Sequence, residues 1–98
     1  MISSKLIDNA ESVASFLTLL ANEKRLMIMC HLADGEMSVG CIAEKVALSQ
    51  SALSQHLAKL RALGLVETRR DRQMIYYSCK SNEARRLLHA LDEIFGRQ

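Results

Sequence analysis

The sequence predicts a mainly α-helical domain with a small β-hairpin inserted ahead of its last helix, and three observations carry that expectation. Hydrophobic residues make up 49% of the 98 residues while aromatic ones reach only 4%. A core must then be built from Leu, Ile, Val, Ala and Met, the usual fillers of helix-to-helix contacts, which speaks against an all-β sandwich. Apolar residues recur at three- and four-residue steps before residue 64 and again after residue 82, the period of an amphipathic helix. Between residues 65 and 79 that period is lost and β-branched and aromatic types take over.

Over residues 4–20, Leu6, Ala10, Val13, Leu17 and Leu20 share one helical stripe, with Phe16 beside them. Asn22 is placed to cap a second helix over residues 23–33; Glu23 complements the helix dipole, and Asp34-Gly35 offers a glycine for the left-handed C-terminal conformation. Ser38 can cap a short third helix through Val46, with Val39, Ile42, Ala43 and Val46 inward and Ala47-Leu48 as a tight turn. Ser49 caps a fourth helix, Gln50–Ala62, in which Leu53, Leu57, Leu60 and Leu63 form a stripe and which Gly64 stops. Two helices joined by so short a turn, the second with a polar face, fit a helix-turn-helix.

Residues 65–70 and 74–79 contain Val66, Thr68, Ile75, Tyr76 and Tyr77 and form two strands around the polar tip Asp71-Arg72-Gln73. Side chains alternate along a strand, so one tyrosine packs inward and the other faces out. Asn82 can cap the last helix, where Leu87, Leu88, Leu91, Ile94 and Phe95 make a wide apolar stripe. With no proline, repeat or low-complexity tract, residues 1–98 are expected to form one domain: helix-turn-helix at about 38–63, hairpin at about 65–79, flanking helices at about 4–20 and 82–95.

Composition also excludes. No apolar run is long enough for a bilayer and the first twenty residues lack a continuous apolar stretch, so a soluble, cytoplasmic protein without a membrane partner is expected. Cys30, Cys41 and Cys79 form an odd set without a C-x-x-C pair, which argues against a disulfide framework or a zinc knuckle. Residues 1–48 carry four Lys/Arg against six Asp/Glu, residues 49–81 six against two, and residues 82–98 three against three. The positive excess sits in the central segment, as a phosphate-facing surface requires.

That segment holds the candidate DNA contacts. Gln50, Ser51, Ser54 and Gln55 lie opposite the leucines of the fourth helix, with Ser49 at its cap and Lys59 one turn on. A helix fits the major groove of B-DNA, Gln pairs with adenine edges, and Ser bonds to several bases or to phosphate. Arg69, Arg70, Arg72 and Gln73 at the hairpin tip are at a distance suited to a neighbouring minor groove or backbone. His56 has two readings: a phosphate donor at the helix edge, or a partly buried ring bonded to a backbone carbonyl. Taken alone, such a face is also compatible with ordinary solvation.

Ala21 to Leu26, Leu48 to Leu57, Gly64-Leu65-Val66, Arg69-Arg70 and Ile75-Tyr76-Tyr77 together resemble the ArsR family of winged-helix repressors, most of all its NolR-like and HlyU/BigR-like branches. The resemblance spans nearly the whole chain. It implies an α-α-α-α-β-β-α winged helix-turn-helix, a homodimer through its first and last helices, and repression from an inverted-repeat operator in double-stranded DNA. Leu6, Val13 and Leu17 with Leu88, Leu91 and Phe95 are the corresponding dimerisation residues; their stripes exceed what one small core can cover, and small domains gain from oligomerisation. Glu23 stands where many relatives have proline, and both suit a first helical turn.

Family members that sense metals imply ligand positions that can be checked singly. The paired thiolate positions are occupied by Ser38 and Gly40, with Cys41 where an aspartate is usual, and the last helix opens Asn82-Glu83-Ala84 without an Asp-x-His pair. His89 and Asp92 alone are too few for a tetrahedral site, so neither a metal nor any other cofactor is expected. For thiol sensing, Cys30 matches the first position of the HlyU/BigR-like branch while Gly96 occupies the second; Cys30 is open to reading as a sensor or as a small buried hydrophobe. A protein-protein winged helix would present an apolar or acidic face instead of the Gln/Ser/Lys face found. The three histidines, His31, His56 and His89, lie on three different helices without a catalytic arrangement, so neither an enzyme nor a small-molecule substrate is expected.

Overall fold

A computed structural model describes residues 1–97: α1 (Ser4–Asp8), α2 (Ala10–Leu20), α3 (Glu23–Leu32), β1 (Met37–Ser38), α4 (Val39–Val46), α5 (Gln50–Ala62), β2 (Val66–Asp71), β3 (Met74–Cys79) and α6 (Asn82–Phe95). The fold is a mostly helical winged helix, with the three strands forming one antiparallel sheet in the order β1-β3-β2.

The stretch expected as a single first helix is two. Asn9, at φ −98° and ψ 13°, leaves helical geometry; its N–H still donates to the carbonyls of Lys5 and Leu6, at 3.0 and 3.2 Å, and its carbonyl accepts from Val13 at 3.0 Å. Asparagine competes for local backbone bonds and is a poor helix-interior residue, which places the break there. α1 has no buried residue and α2 buries Leu20, with Phe16 and Leu19 packing partly against the core.

Asn22 caps α3 by accepting from the N–H of Arg25 at 3.0 Å. The far end of α3 does not use glycine in the expected way: among the described glycines positive φ is found at Gly64 and not at Gly35. Arg85 of α6 closes that end instead, its Nε donating to the Ala33 carbonyl at 2.9 Å and its Nη2 to the Cys79 carbonyl at 2.8 Å. One side chain thus satisfies a helix-end carbonyl that would otherwise lack a partner and ties α3, β3 and α6 together.

Ser38 ends β1 and caps α4, accepting from Cys41 N–H at 3.3 Å, and Ser49 caps α5, accepting from Ala52 N–H at 3.2 Å. Between the two helices Ala47 takes the left-handed conformation at φ 55°. That is costly for a residue with a Cβ, and Lys24 braces the turn by donating to the Val46 carbonyl at 2.7 Å. At the other end of α5, Gly64 at φ 74° makes the reversal into β2. Leu63 has already left the buried stripe and is 51% exposed, because the helix ends before it. α6 is capped by Ser81, which accepts from Ala84 N–H at 3.0 Å, one residue earlier than the expected Asn82.

Leu53, Leu57 and Leu60 of α5 are buried against Ile28, Met29 and Leu32 of α3, Ile42 and Val46 of α4, and Leu65, Val66, Ala84 and Leu88. Each such side chain contributes about 1.5–3 kcal/mol on burial, so the polar face of α5 is held in place by its three buried leucines.

Candidate nucleic-acid interface

The buried leucines of α5 fix which of its residues point outward. At 3.6 residues per turn, Ser51, Gln55 and Lys59 form one row opposite them, and all three are exposed. Gln50 and Ser54 lie on the flank towards the hairpin, where they line a groove of about 480 Å³ with Val39, Gly40, Gln73, Ile75 and Tyr77. Ser49 is exposed at the helix start and is engaged as its cap.

His56 lies on the opposite flank, half-buried, with Nδ1 3.4 Å from Nη1 of Arg25. A guanidinium only donates, so Nδ1 accepts and the ring is neutral with its proton on Nε2. The partner is therefore a cation and not the backbone carbonyl considered from sequence. Burial, then the charges of Arg25 and Lys59, push the His56 pKa down. Arg25 also donates from Nε to the Leu19 carbonyl at 2.5 Å, so it connects α2, α3 and α5.

The wing arginines separate by strand alternation. In the β2–β3 register Arg70 pairs with Ile75 and Thr68 with Tyr77, which places Arg70 on the face whose tyrosine packs against the core and borders the α5 groove. Arg69 pairs with Tyr76 on the other face. Its guanidinium carbon stands 4.6 Å from the centre of the Tyr76 ring, and its Nε and Nη2 donate to the Glu36 carboxylate at 2.9 Å and 2.5 Å. The ion pair holds the Glu36 carboxyl below its ordinary pKa. Arg72 and Gln73 form the two-residue turn, with Arg72 at φ 59°. Glycine or asparagine is usual at such a position, and arginine there projects a charge from the outermost point of the wing. Asp71, opposite Met74, is the acid nearest that tip.

The two flanking helical segments do not present their stripes equally. Leu6, Leu17 and Phe95 are 44%, 46% and 62% exposed, and Val13 and Leu91 are half-buried. Leu88, expected at the same surface, is instead 5% exposed within the protomer core. It lies one turn before Leu91 on the side of α6 that meets α3 and β3, so the α6 stripe is wide enough to serve two surfaces and Leu88 belongs to the inner one.

Cys30 is exposed, not the buried hydrophobe allowed for in the sequence, and all three cysteines are free thiols. Partial desolvation, and then Asp92, raise the Cys30 pKa, which disfavours its thiolate. Burial raises that of Cys79, whose Sγ lies 3.3 Å from the Ser81 carbonyl. Cys30, Asp34, His89 and Asp92 line a recess of about 250 Å³, where His89 Nε2 and Asp34 pair with each other at 2.9 Å. Among the described residues no group of three or more His, Cys, Asp or Glu is arranged to hold a metal ion.

Several residues that shape this surface carried no sequence signal of their role. Lys24 and Arg25 stand in a recognisable segment, yet their hydrogen bonds to α4, α2 and α5 need tertiary structure to appear. Glu36 and Arg69 are 33 positions apart and meet only because β1 joins the sheet.

Comparison with known proteins decides the class. The family model for bacterial regulatory proteins of the arsR type matches residues 22–68, which run from the α3 cap into β2. The nodulation protein NolR of Rhizobium meliloti is 56% identical over 89 residues, 91% of this chain and 73% of that protein. The chain belongs to the ArsR family. The crystal structure of the transcriptional repressor BigR from Xylella fastidiosa superposes with a TM-score of 0.92 at 39% identity, covering 100% of both chains. A homodimeric winged helix-turn-helix DNA-binding domain from Mycobacterium bovis gives 0.78 at 31% identity, over 95% of this chain and 86% of that one. ArsR proteins are transcriptional regulators built on a DNA-binding winged helix, and α4, α5 and the β2–β3 wing are those parts here. Among the described residues no helix is long and apolar enough to cross a membrane.

Proposed function

We propose that the chain is a sequence-specific transcriptional repressor that binds an inverted-repeat operator as a homodimer in the cytoplasm, residues 1–98 acting as one DNA-binding domain. Gln50, Ser51, Ser54 and Gln55 read base edges in the major groove, and Lys59, Arg70 and Arg72 neutralise backbone phosphates, Gln73 adding a polar contact from the wing tip. Ser49 orders the start of α5, and His56 borders the same face. The observation that carries the reading is the exposed row Ser51-Gln55-Lys59, held on a helix anchored by three buried leucines beside a wing whose Arg70 lies on the α5 side.

Two observations support the dimer. Leu6, Ile7, Leu17, Ile94 and Phe95 are between 44% and 66% exposed on α1, α2 and α6. The radius of gyration is 14.4 Å, against about 13 Å for a compact chain of this length, so the flanking helices extend beyond a closed core. Seating that surface on a second copy through Leu6, Val13, Leu17, Leu91 and Phe95 places two α5 helices for a two-fold symmetric site. The similar domain from Mycobacterium bovis is homodimeric. Repression follows the reading of BigR as a repressor.

The test is selection of genomic fragments by the purified protein, then footprinting and a reporter assay. An inverted repeat protected by a dimer, with reporter output rising on deletion of the protein, is expected. Recovery of no enriched sequence would refute specific binding, and reporter output that falls on deletion would refute repression.

A further inference from the structure

Arg69 lies among the wing cations, yet its guanidinium is engaged twice on the protein itself. β1 supplies two residues to the sheet, with Ser38 opposite Tyr76 and Met37 opposite Tyr77, whereas β2 and β3 pair over six positions and carry the turn well past β1. The wing is thus joined to the start of the helix-turn-helix by a short bridge and extends from it as a two-stranded ribbon. Tyr76 is central to this joint: it pairs with Ser38 on one side and with Arg69 on the other. From β2, Arg69 lies over the Tyr76 ring and reaches Glu36, the residue immediately before β1. A fork-shaped guanidinium on a carboxylate fixes orientation as well as distance, and the ring below removes a further degree of freedom. The contact crosses the whole width of the sheet, from its outer strand to the segment that leads into α4.

We propose that Arg69 is a positioning residue: with Glu36 and Tyr76 it sets the angle of the wing to the helix-turn-helix, so that Arg70 and Arg72 meet the DNA backbone while Arg69 itself takes no phosphate. This rests on the DNA-binding reading above. It separates two neighbouring arginines that sequence treats as equivalent, and the separation has an electrostatic consequence. Arg70 adds to the counterions released on binding; Arg69, already neutralised by Glu36, does not.

The experiment measures affinity of the full chain for its selected operator by fluorescence anisotropy over a salt series, for wild type, Glu36→Gln, Arg69→Lys, Arg69→Ala and the Glu36→Gln/Arg69→Ala pair. Each of the first three variants is expected to bind roughly twofold to thirtyfold more weakly, the range for changes that act on binding without touching the ligand. The salt slope should stay at the wild-type value, and the double variant should be no worse than the worse single one. Arg69→Lys is informative because it keeps the charge and loses the fork. Amide exchange of β2 in the free protein should speed up in the same variants.

Two results overturn the proposal. Glu36→Gln binding as tightly as wild type or tighter, with a steeper salt slope, would mean that Glu36 masks a phosphate contact. Full affinity in Arg69→Lys would mean that charge alone matters. If wild type binds no DNA, the proposal falls with the functional reading; β2 exchange that still speeds up in Glu36→Gln would then show a structural latch without a DNA role. A failure confined to the variants leaves the functional reading standing.

Discussion

The sharpest consequence of the surface geometry is a salt dependence whose size can be worked out in advance. Lys59 on the outer row of α5, and Arg70 and Arg72 on the wing, are exposed cations without an ion-pair partner among the described pairs. In the proposed dimer two protomers would present six such groups to the backbone, so log affinity should fall with log salt at a slope of about −5. Between 50 and 200 mM salt that is a loss of roughly 10³-fold. Arg70→Ala removes two contacts per dimer, so the slope should flatten to about −3.6 and the loss over the same range shrink to roughly 150-fold. Arg70 is exposed at the wing and is not part of the buried core, so the variant should fold as wild type does. Anisotropy on the footprinted operator and on a scrambled duplex measures both quantities. Arg70→Ala should lose affinity on the two duplexes alike, because a phosphate contact carries no sequence information. A slope unchanged by Arg70→Ala, or a wild-type slope near −1, would refute the assignment of the wing to the DNA backbone.

Gln55→Ala should cost about 1–3 kcal/mol on the cognate operator and little on scrambled DNA, with the salt slope intact; equal losses on both duplexes would remove Gln55 from the reading set. Phe95→Glu should convert the dimer to a folded monomer in sedimentation, whereas Leu88→Ala should leave the interface chemistry untouched and destabilise the fold by about 2–5 kcal/mol in denaturant titration; the reverse pattern would overturn the division of the α6 stripe. His56, whose pKa lies below its unfolded value, contributes stability that is present above about pH 6.5 and is lost as pH falls from there through the lower folded value. Thermal midpoints between pH 7.5 and pH 5 should therefore drop more in wild type than in His56→Gln, and parallel drops would show that burial and the neighbouring cations do not hold His56 below its ordinary pKa. Cys30, exposed but with a raised pKa, should react with iodoacetamide at pH 7.5 more slowly in the folded protein than in the denatured chain; faster alkylation when folded would reopen a thiol-sensing role.

Periodicity and capping chemistry made most of the elements legible. Leu53, Leu57 and Leu60 announce α5, Asn22, Ser38 and Ser49 sit where side-chain oxygens cap the next helix, and Gly64 adopts the positive φ that a sharp reversal needs. What escaped the sequence depends on contacts between distant segments. β1 is two residues long, too short for an alternation to show, and its existence is decided by β3. The end of α3 is completed by Arg85, 52 positions from the carbonyl it satisfies, which no local glycine signal can show. Leu88 and Leu91 look alike on a helical wheel, and only packing of α6 on α3 and β3 tells inner from outer. The polar face of α5 could be read directly because burial of its leucines leaves a single outward side. The wing could not, since residue type alone does not say that Arg69 meets a carboxylate.

The same contacts explain how a surface made of separate elements can act as one. A single turn at the start of α3 reaches three of them: Asn22 caps its own helix, Lys24 holds the carbonyl end of α4, and Arg25 holds the Leu19 carbonyl of α2 and the ring of His56 on α5. α2 carries half-buried Val13 and exposed Leu17, which the dimer reading assigns to the two-fold seam, so the seam and the reading helix are joined through one side chain. Arg85 does the equivalent at the other end of α3, gripping the carbonyls of Ala33 and Cys79 from α6, the second helix of the seam. α3 is therefore clamped at both ends to the elements proposed to meet the partner, and α5 packs across its middle through Leu53, Leu57 and Leu60. Displacing either seam helix would strain these oriented bonds, whose partners include His56 on α5 and the Cys79 carbonyl of β3. On the proposed dimer and operator readings, dimer geometry and operator fit are therefore coupled through α3.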